Sequence, residues 1–232
     1  SAEAEWEYRE VLRLDPSNGE AIDGLAEILF SAGKHAEGAA LLAPLYEKGS
    51  LDERGKLIYG RFLYKAGMSD RALAVFGGLM ETMGRQPAFL RVVSEMEVER
   101  GHFRTAFGHL KRLVEIEPER FDNYIGILLI LYGVAEGPSG PDEALELPDA
   151  ERRAYLAKAV ARASADSPED NLLLGSILRK ADEAEEAERY LLRAERLDPK
   201  NESVALELAS LYGRTGRFDD ALERVVPLYD RN

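Results

Sequence analysis

Residues 22–33, IDGLAEILFSAG, are answered by residues 56–67, KLIYGRFLYKAG, and by residues 90–101, LRVVSEMEVERG. In the first stretch Ile22, Leu25, Ala26 and Leu29 follow the i, i+3, i+4, i+7 spacing of one helix face, and Tyr59, Gly60 and Leu63 repeat it. Each stretch closes on a glycine, and Gly33, Gly67 and Gly101 lie 34 residues apart. A small residue recurs at the same period, as Ala26, Gly60 and Ser94, where a neighbouring helix must approach closely. After each glycine comes a second apolar stripe: Ala39, Leu42 and Leu45, then Ala72, Phe76 and Leu79, then Phe103, Ala106, Leu110 and Leu113. A fixed period of this length is the signature of copied helix pairs that bury their apolar faces on one another. The one misfit is Glu97, a charge where the other copies carry Leu29 and Leu63.

The far end repeats the theme with Leu174, Gly175, Leu178, Ala187, Leu191 and Ala194, and again with Leu208, Ala209, Tyr212, Phe218, Ala221, Val225 and Leu228. Asp182 takes the turn position there, 34 residues before Gly216, and aspartate tolerates left-handed backbone better than most residues. Between Gly101 and Gly216 the phase slips by 13 residues, so an insertion must intervene. Phe121–Tyr132 reads as a first helix and Glu151–Ala165 as a second, while residues 133–148 hold three prolines and three glycines, including GPSGP. The expected organisation is one repeat domain over residues 1–232 with a loop insertion at about 133–149. Ala4, Tyr8, Val11 and Leu12 read as the second half of a preceding pair, so the chain opens inside a repeat and is expected to be a fragment of a longer protein.

LDPSNGEA at Leu14–Ala21, LDPKNESVALELASLYGRTG at Leu197–Gly216 and GRFDDAL at Gly216–Leu222 resemble the tetratricopeptide repeat (TPR) family. The resemblance implies an all-α, right-handed α–α superhelix, a solenoid of about six helix pairs plus an N-terminal half repeat. It also implies a noncatalytic scaffold that binds a protein or peptide segment in a concave groove lined by the first helix of each pair. Carried along the chain, that face gives the rows Asp23, Leu57, Arg91 and Ile125, then Glu27, Arg61, Glu95 and Leu129, then Phe30, Tyr64, Val98 and Tyr132. The partner-binding candidates are Phe30, Arg54, Leu57, Arg61, Tyr64, Arg91, Ile125, Tyr132 and Arg179: apolar and aromatic anchors interleaved with cations that engage acidic groups. The competing reading packs Phe30, Tyr64 and Tyr132 inside the solenoid and pairs Arg61 with Glu27 or Glu95. The lysine and asparagine pattern with which some family members clamp a C-terminal carboxylate is not found at Asp23, Glu27, Leu57 and Arg61.

Composition removes other classes. Forty-three acidic against thirty basic side chains give a formal charge of -13, which repels duplex nucleic acid. His35, His102 and His109 form no metal-ligand motif, adjacent carboxylates such as Glu185 and Glu186 read as solvated surface, and no serine is paired with a histidine base. Hence no catalytic residue, metal or cofactor is expected. No apolar run is long enough to span a bilayer, and the absence of cysteine suits cytoplasm and periplasm alike, so a soluble protein of either compartment is expected. The alternative function is assembly, by self-association or docking through the ends or the convex face, with Tyr8, Val11, Leu12 and residues 218–229 as its surfaces.

Overall fold

The computed structural model describes residues 2–133, 145 and 147–229. Among these it forms thirteen α-helices: α1 (Ala2–Leu14), α2 (Gly19–Ser31), α3 (His35–Glu47), α4 (Glu53–Lys65), α5 (Ser69–Met83), α6 (Pro87–Glu99), α7 (Phe103–Ile116), α8 (Phe121–Leu131), α9 (Asp149–Val160), α10 (Pro168–Lys180), α11 (Ala184–Leu197), α12 (Glu202–Arg214) and α13 (Phe218–Tyr229). α2 to α13 are six helix pairs, and α1 is the extra helix before them. GPSGP at 137–141, with most of the expected insertion, lies outside the described residues.

The periodic glycines end the first helix of each pair in a common way. Gly67 has φ +79°, and beside it the Met68 amide donates to the Leu63 carbonyl at 2.8 Å, a six-to-one bond that satisfies a carbonyl otherwise orphaned at the helix end. Asp182 does the same at φ +63°, with Glu183 N–H bonded to Leu178 O at 3.0 Å, and it is the one non-glycine residue in the left-handed region among those described. At the other end, side chains cap the helix. Asn18 accepts from Ala21 N–H at 3.0 Å, Asp52 from Gly55 N–H at 2.7 Å and Ser167 from Asp170 N–H at 3.1 Å. Each such cap contributes about 1 kcal/mol.

Two compact units divide the chain, Ser1–Met96 and Glu97–Asn232. In the first, α1 packs on α2, α3 on α4, and α4 on both α2 and α5, around Leu25, Leu29, Leu42, Phe62, Leu63, Phe76 and Phe89. The Phe76 ring fills the notch left by Gly60, where a Cβ would overlap it, and meets Phe89 edge to face with centroids 5.9 Å apart. Tyr124, Leu128, Leu174, Ile177, Leu191 and Leu208 centre the second unit, in which α7 packs on α8, α8 on α9, α10 on α11 and α12 on α13. There Leu191 occupies the notch of Gly175. Phe76 and Leu191 each lie sixteen residues beyond their glycine, so one register serves both units.

Four details depart from the sequence pattern. Glu97 keeps its core position, and its buried carboxylate lies 2.6 Å from His102 Nδ1 at the α6–α7 turn. α8 has 11 residues where α2, α4, α6, α10 and α12 have 13, and its turn residue Gly133, φ +63°, comes 32 residues after Gly101. α9 runs from Asp149 to Val160, ending before Ala165, and in the loop that follows the Asn171 amide donates to the carbonyls of Ser164, Ala165 and Ser167. Phe218 is 67 % exposed, whereas Phe103 at the same place after its glycine is buried.

Candidate functional site

In the N-terminal unit, α2 and α4 present neighbouring faces in parallel register. Asp23 on α2 pairs with Arg54 on α4 at 2.9 Å, and two turns further the Arg61 guanidinium lies over the Phe30 ring, 4.7 Å from its centroid. Phe30 is fixed from behind by tilted contacts with His35 at 4.7 Å and Phe62 at 5.3 Å. Phe62 lies against Gly38, where a Cβ would overlap its ring. Phe30 is therefore held between His35 of α3, in its own hairpin, and Phe62 of α4 in the next, which leaves its ring little freedom to lose on any further packing.

These two cross-links bracket a pocket of about 560 Å³, within the range of small-ligand clefts. Leu57, Ile58 and Ala26 make its apolar surface, and Tyr8 of α1 closes one side by lying over Gly24. Glu20, Asp23 and Glu27 come from α2, Arg54 and Arg61 from α4. The pocket thus has an acidic and a basic wall with an apolar floor. Arg54 is 72 % exposed, so its ion pair is cheap to open.

Of the nine candidates, Phe30, Arg54, Leu57 and Arg61 come together in this pocket. Tyr64, in the same unit, is buried with Lys65 Nζ 4.5 Å above its ring, and Lys65 bonds Glu95 at 2.7 Å. Arg91 is half-buried on α6. In the second unit Ile125 is buried, standing eight residues before its turn as Leu25, Tyr59 and Val93 do. The short α8 explains this: two missing residues move Tyr132 next to the turn and put Ile130 where Phe30 and Tyr64 stand. Tyr132 lies under the Arg152 guanidinium at 4.7 Å, and burial pushes its phenol pKa up against the opposing pull of that cation. Arg179 is 13 % exposed and bonded to Glu207 at 2.7 Å.

Glu20 and Gly24 escaped the sequence reading as pocket residues, and Tyr8, read there as an end surface for assembly, lines the pocket instead. Mid-helix Gly24 was the available signal, because a glycine inside a helix costs about 1 kcal/mol and calls for a close neighbour. Asn123 and Asn171, both buried, were also missed; Asn123 Nδ2 donates to the carbonyls of Leu113 at 3.3 Å and Glu117 at 3.2 Å.

No group of three or more His, Asp or Glu side chains among the described residues is placed to hold a metal ion. No helix among them is long and apolar enough to cross a membrane.

No protein-family model matches the chain, and no curated protein sequence matches it. Solved structures do. A tetratricopeptide repeat protein from Parabacteroides merdae aligns with a TM-score of 0.72 at 13 % identity, over 96 % of this chain and 79 % of that one. PilF of Pseudomonas aeruginosa aligns with a TM-score of 0.66 at 15 % identity, over 90 % and 89 %. YrrB, described as a TPR protein with an unusual peptide-binding site, aligns at 0.56 and 17 % identity, over 82 % and 91 %. With these alignments and six successive helix pairs, the chain has the fold of tetratricopeptide repeat proteins.

Proposed function

We propose that this chain is a noncatalytic interaction scaffold that holds a protein or peptide segment in the α2–α4 groove of its N-terminal unit. The observation that carries this reading is the preformed pocket in which Leu57, Ile58 and the fixed Phe30 ring meet exposed Arg54 and Arg61. Such a surface gives an apolar side chain a desolvated seat, and charges around it set orientation. Tyr64, Arg91, Ile125, Tyr132 and Arg179 lie outside the pocket lining, so the groove reading now rests on Phe30, Arg54, Leu57 and Arg61. A scaffold of net charge -13 is a poor partner for nucleic acid.

The test is a pull-down from the source cell with the parent, Leu57→Ser and Arg61→Glu, checking that helicity is unchanged. Loss of the same partner in both variants supports groove capture. A second reading, assembly, draws on the apolar stripe of Phe218, Leu222 and Val226 at 67, 60 and 51 % exposure on α13. Retention in both groove variants with loss in Phe218→Ser would move the function to that stripe.

A further inference from the structure

The charges of the α2–α4 pocket specify more than an apolar ligand. Asp23 and Phe30 are seven residues apart on α2, as are Arg54 and Arg61 on α4, so the two cross-links stand two helical turns, about 10 Å, apart. Beyond the Asp23–Arg54 pair, the charges within this frame are not mutually neutralised. Glu20 and Glu27 are exposed and have no ion pair among the described residues, and Arg61 makes the Phe30 contact alone. A guanidinium whose face is stacked on a ring still presents its N–H edge, the part that binds a carboxylate bidentately.

Resting on the groove reading above, we propose that the occupant is an extended segment in which one apolar side chain is flanked by a basic residue and an acidic residue. The apolar group sits on Leu57 and Ile58, the cation meets Glu27, with Glu20 two turns away on the same acidic wall, and the carboxylate meets the free edge of Arg61. About 10 Å corresponds to roughly three extended residues, enough for one such triplet. An entirely basic segment places like charge beside Arg61 and Arg54, and an entirely acidic one beside Glu20 and Glu27. Those repulsions reject the wrong partner as much as the attractions hold the right one.

The experiment selects from a displayed library of random heptapeptides on the full chain, then measures retained peptides by fluorescence polarisation against the parent, Glu27→Lys, Arg61→Glu and Leu57→Ser. Retained peptides are expected to carry both signs around an apolar residue. Each should weaken about tenfold or more in either charge-reversal variant, and reversing the matching peptide charge should recover affinity. Peptides of one sign overturn the inference. So do uncharged peptides that lose affinity in Leu57→Ser yet ignore both charge reversals, an outcome that leaves the groove reading standing. If no peptide responds to Leu57→Ser, both fall.

Discussion

Three residues before the turn of its first helix, one hairpin of each unit carries a revealing residue. In the N-terminal unit it is Phe30, and across from it Ile58, nine residues before Gly67, lines the same pocket. In the second unit it is Arg179, and Glu207, nine residues before Gly216, bonds it at 2.7 Å. The backbone register is shared, so side-chain chemistry alone makes the difference. Where the first unit has an aromatic and an apolar side chain lining a pocket, the second has joined the corresponding positions to each other. A repeat constrains the small and large residues that mesh helices, and leaves the remaining face free to be a binding surface or a closed pair.

The shared half of this comparison predicts the largest effects. Phe76→Ala and Leu191→Ala remove the side chains that fill the notches of Gly60 and Gly175, and each should cost about 2–5 kcal/mol. Since stability in repeats is carried by neighbouring contacts, hydrogen exchange should accelerate mainly in the unit that bears the change. Uniform acceleration across both units would break that expectation.

The differing half predicts the next. Glu207→Ala leaves the largely buried Arg179 guanidinium without its carboxylate and should cost roughly 1–3 kcal/mol. Asp23→Ala opens an ion pair whose arginine is mostly in water, and its cost should stay below about 1 kcal/mol. Urea denaturation of the two variants measures the contrast directly. Equal costs would mean that the second unit's pair is no more structural than the first unit's, and the distinction between closed and open faces would fail.

The sequence disclosed the period, the paired helices and the small residue where helices meet, because all three recur at fixed spacing. It also showed that Asp182 stands in for glycine. Where the period is unbroken the projected face met the candidate pocket only in part: Phe30, Leu57 and Arg61 line it, whereas Tyr64 and Arg91 of the same rows do not. Projection failed past Gly101, since a first helix two residues short cannot be seen in a row of 34-residue steps, and Ile125 consequently fell on the core face. Pairings were illegible for another reason. Arg61 had Glu27 and Glu95 as plausible partners on charge alone, but its guanidinium stacks on Phe30, a choice made by geometry between two helices.

Turn chemistry offers a smaller effect with opposite signs. At φ +63°, Asp182 holds a conformation in which a Cβ is penalised, and Asp182→Gly should stabilise the second unit by at most about 1 kcal/mol. Asp182→Ala should instead lower stability, because alanine keeps the Cβ and loses the polar group that eases an aspartate into this region. Thermal melts of the two variants give the signs. A lower midpoint for the glycine variant would show that the Arg214 contact to Asp182 outweighs the backbone term.

The subtlest expected difference is in acid. Burial pushes the pKa of His109, on α7, below the usual histidine value, assisted by Arg112 and opposed by the carboxylate of Glu97. In the unfolded chain His109 titrates near 6.5, so between that pH and its lower folded value the unfolded state binds more protons. The neutral imidazole's contribution is therefore complete above about pH 6.5 and is lost as pH falls through the folded pKa. His109→Leu removes this one titration while carboxylates elsewhere keep theirs, so stability of the variant should fall less steeply than that of the parent between pH 7.5 and 5. Urea melts at several pH values, read together with exchange rates along α7, measure that slope. Parallel curves would show that His109 reaches solvent as freely in the folded second unit as in the unfolded chain.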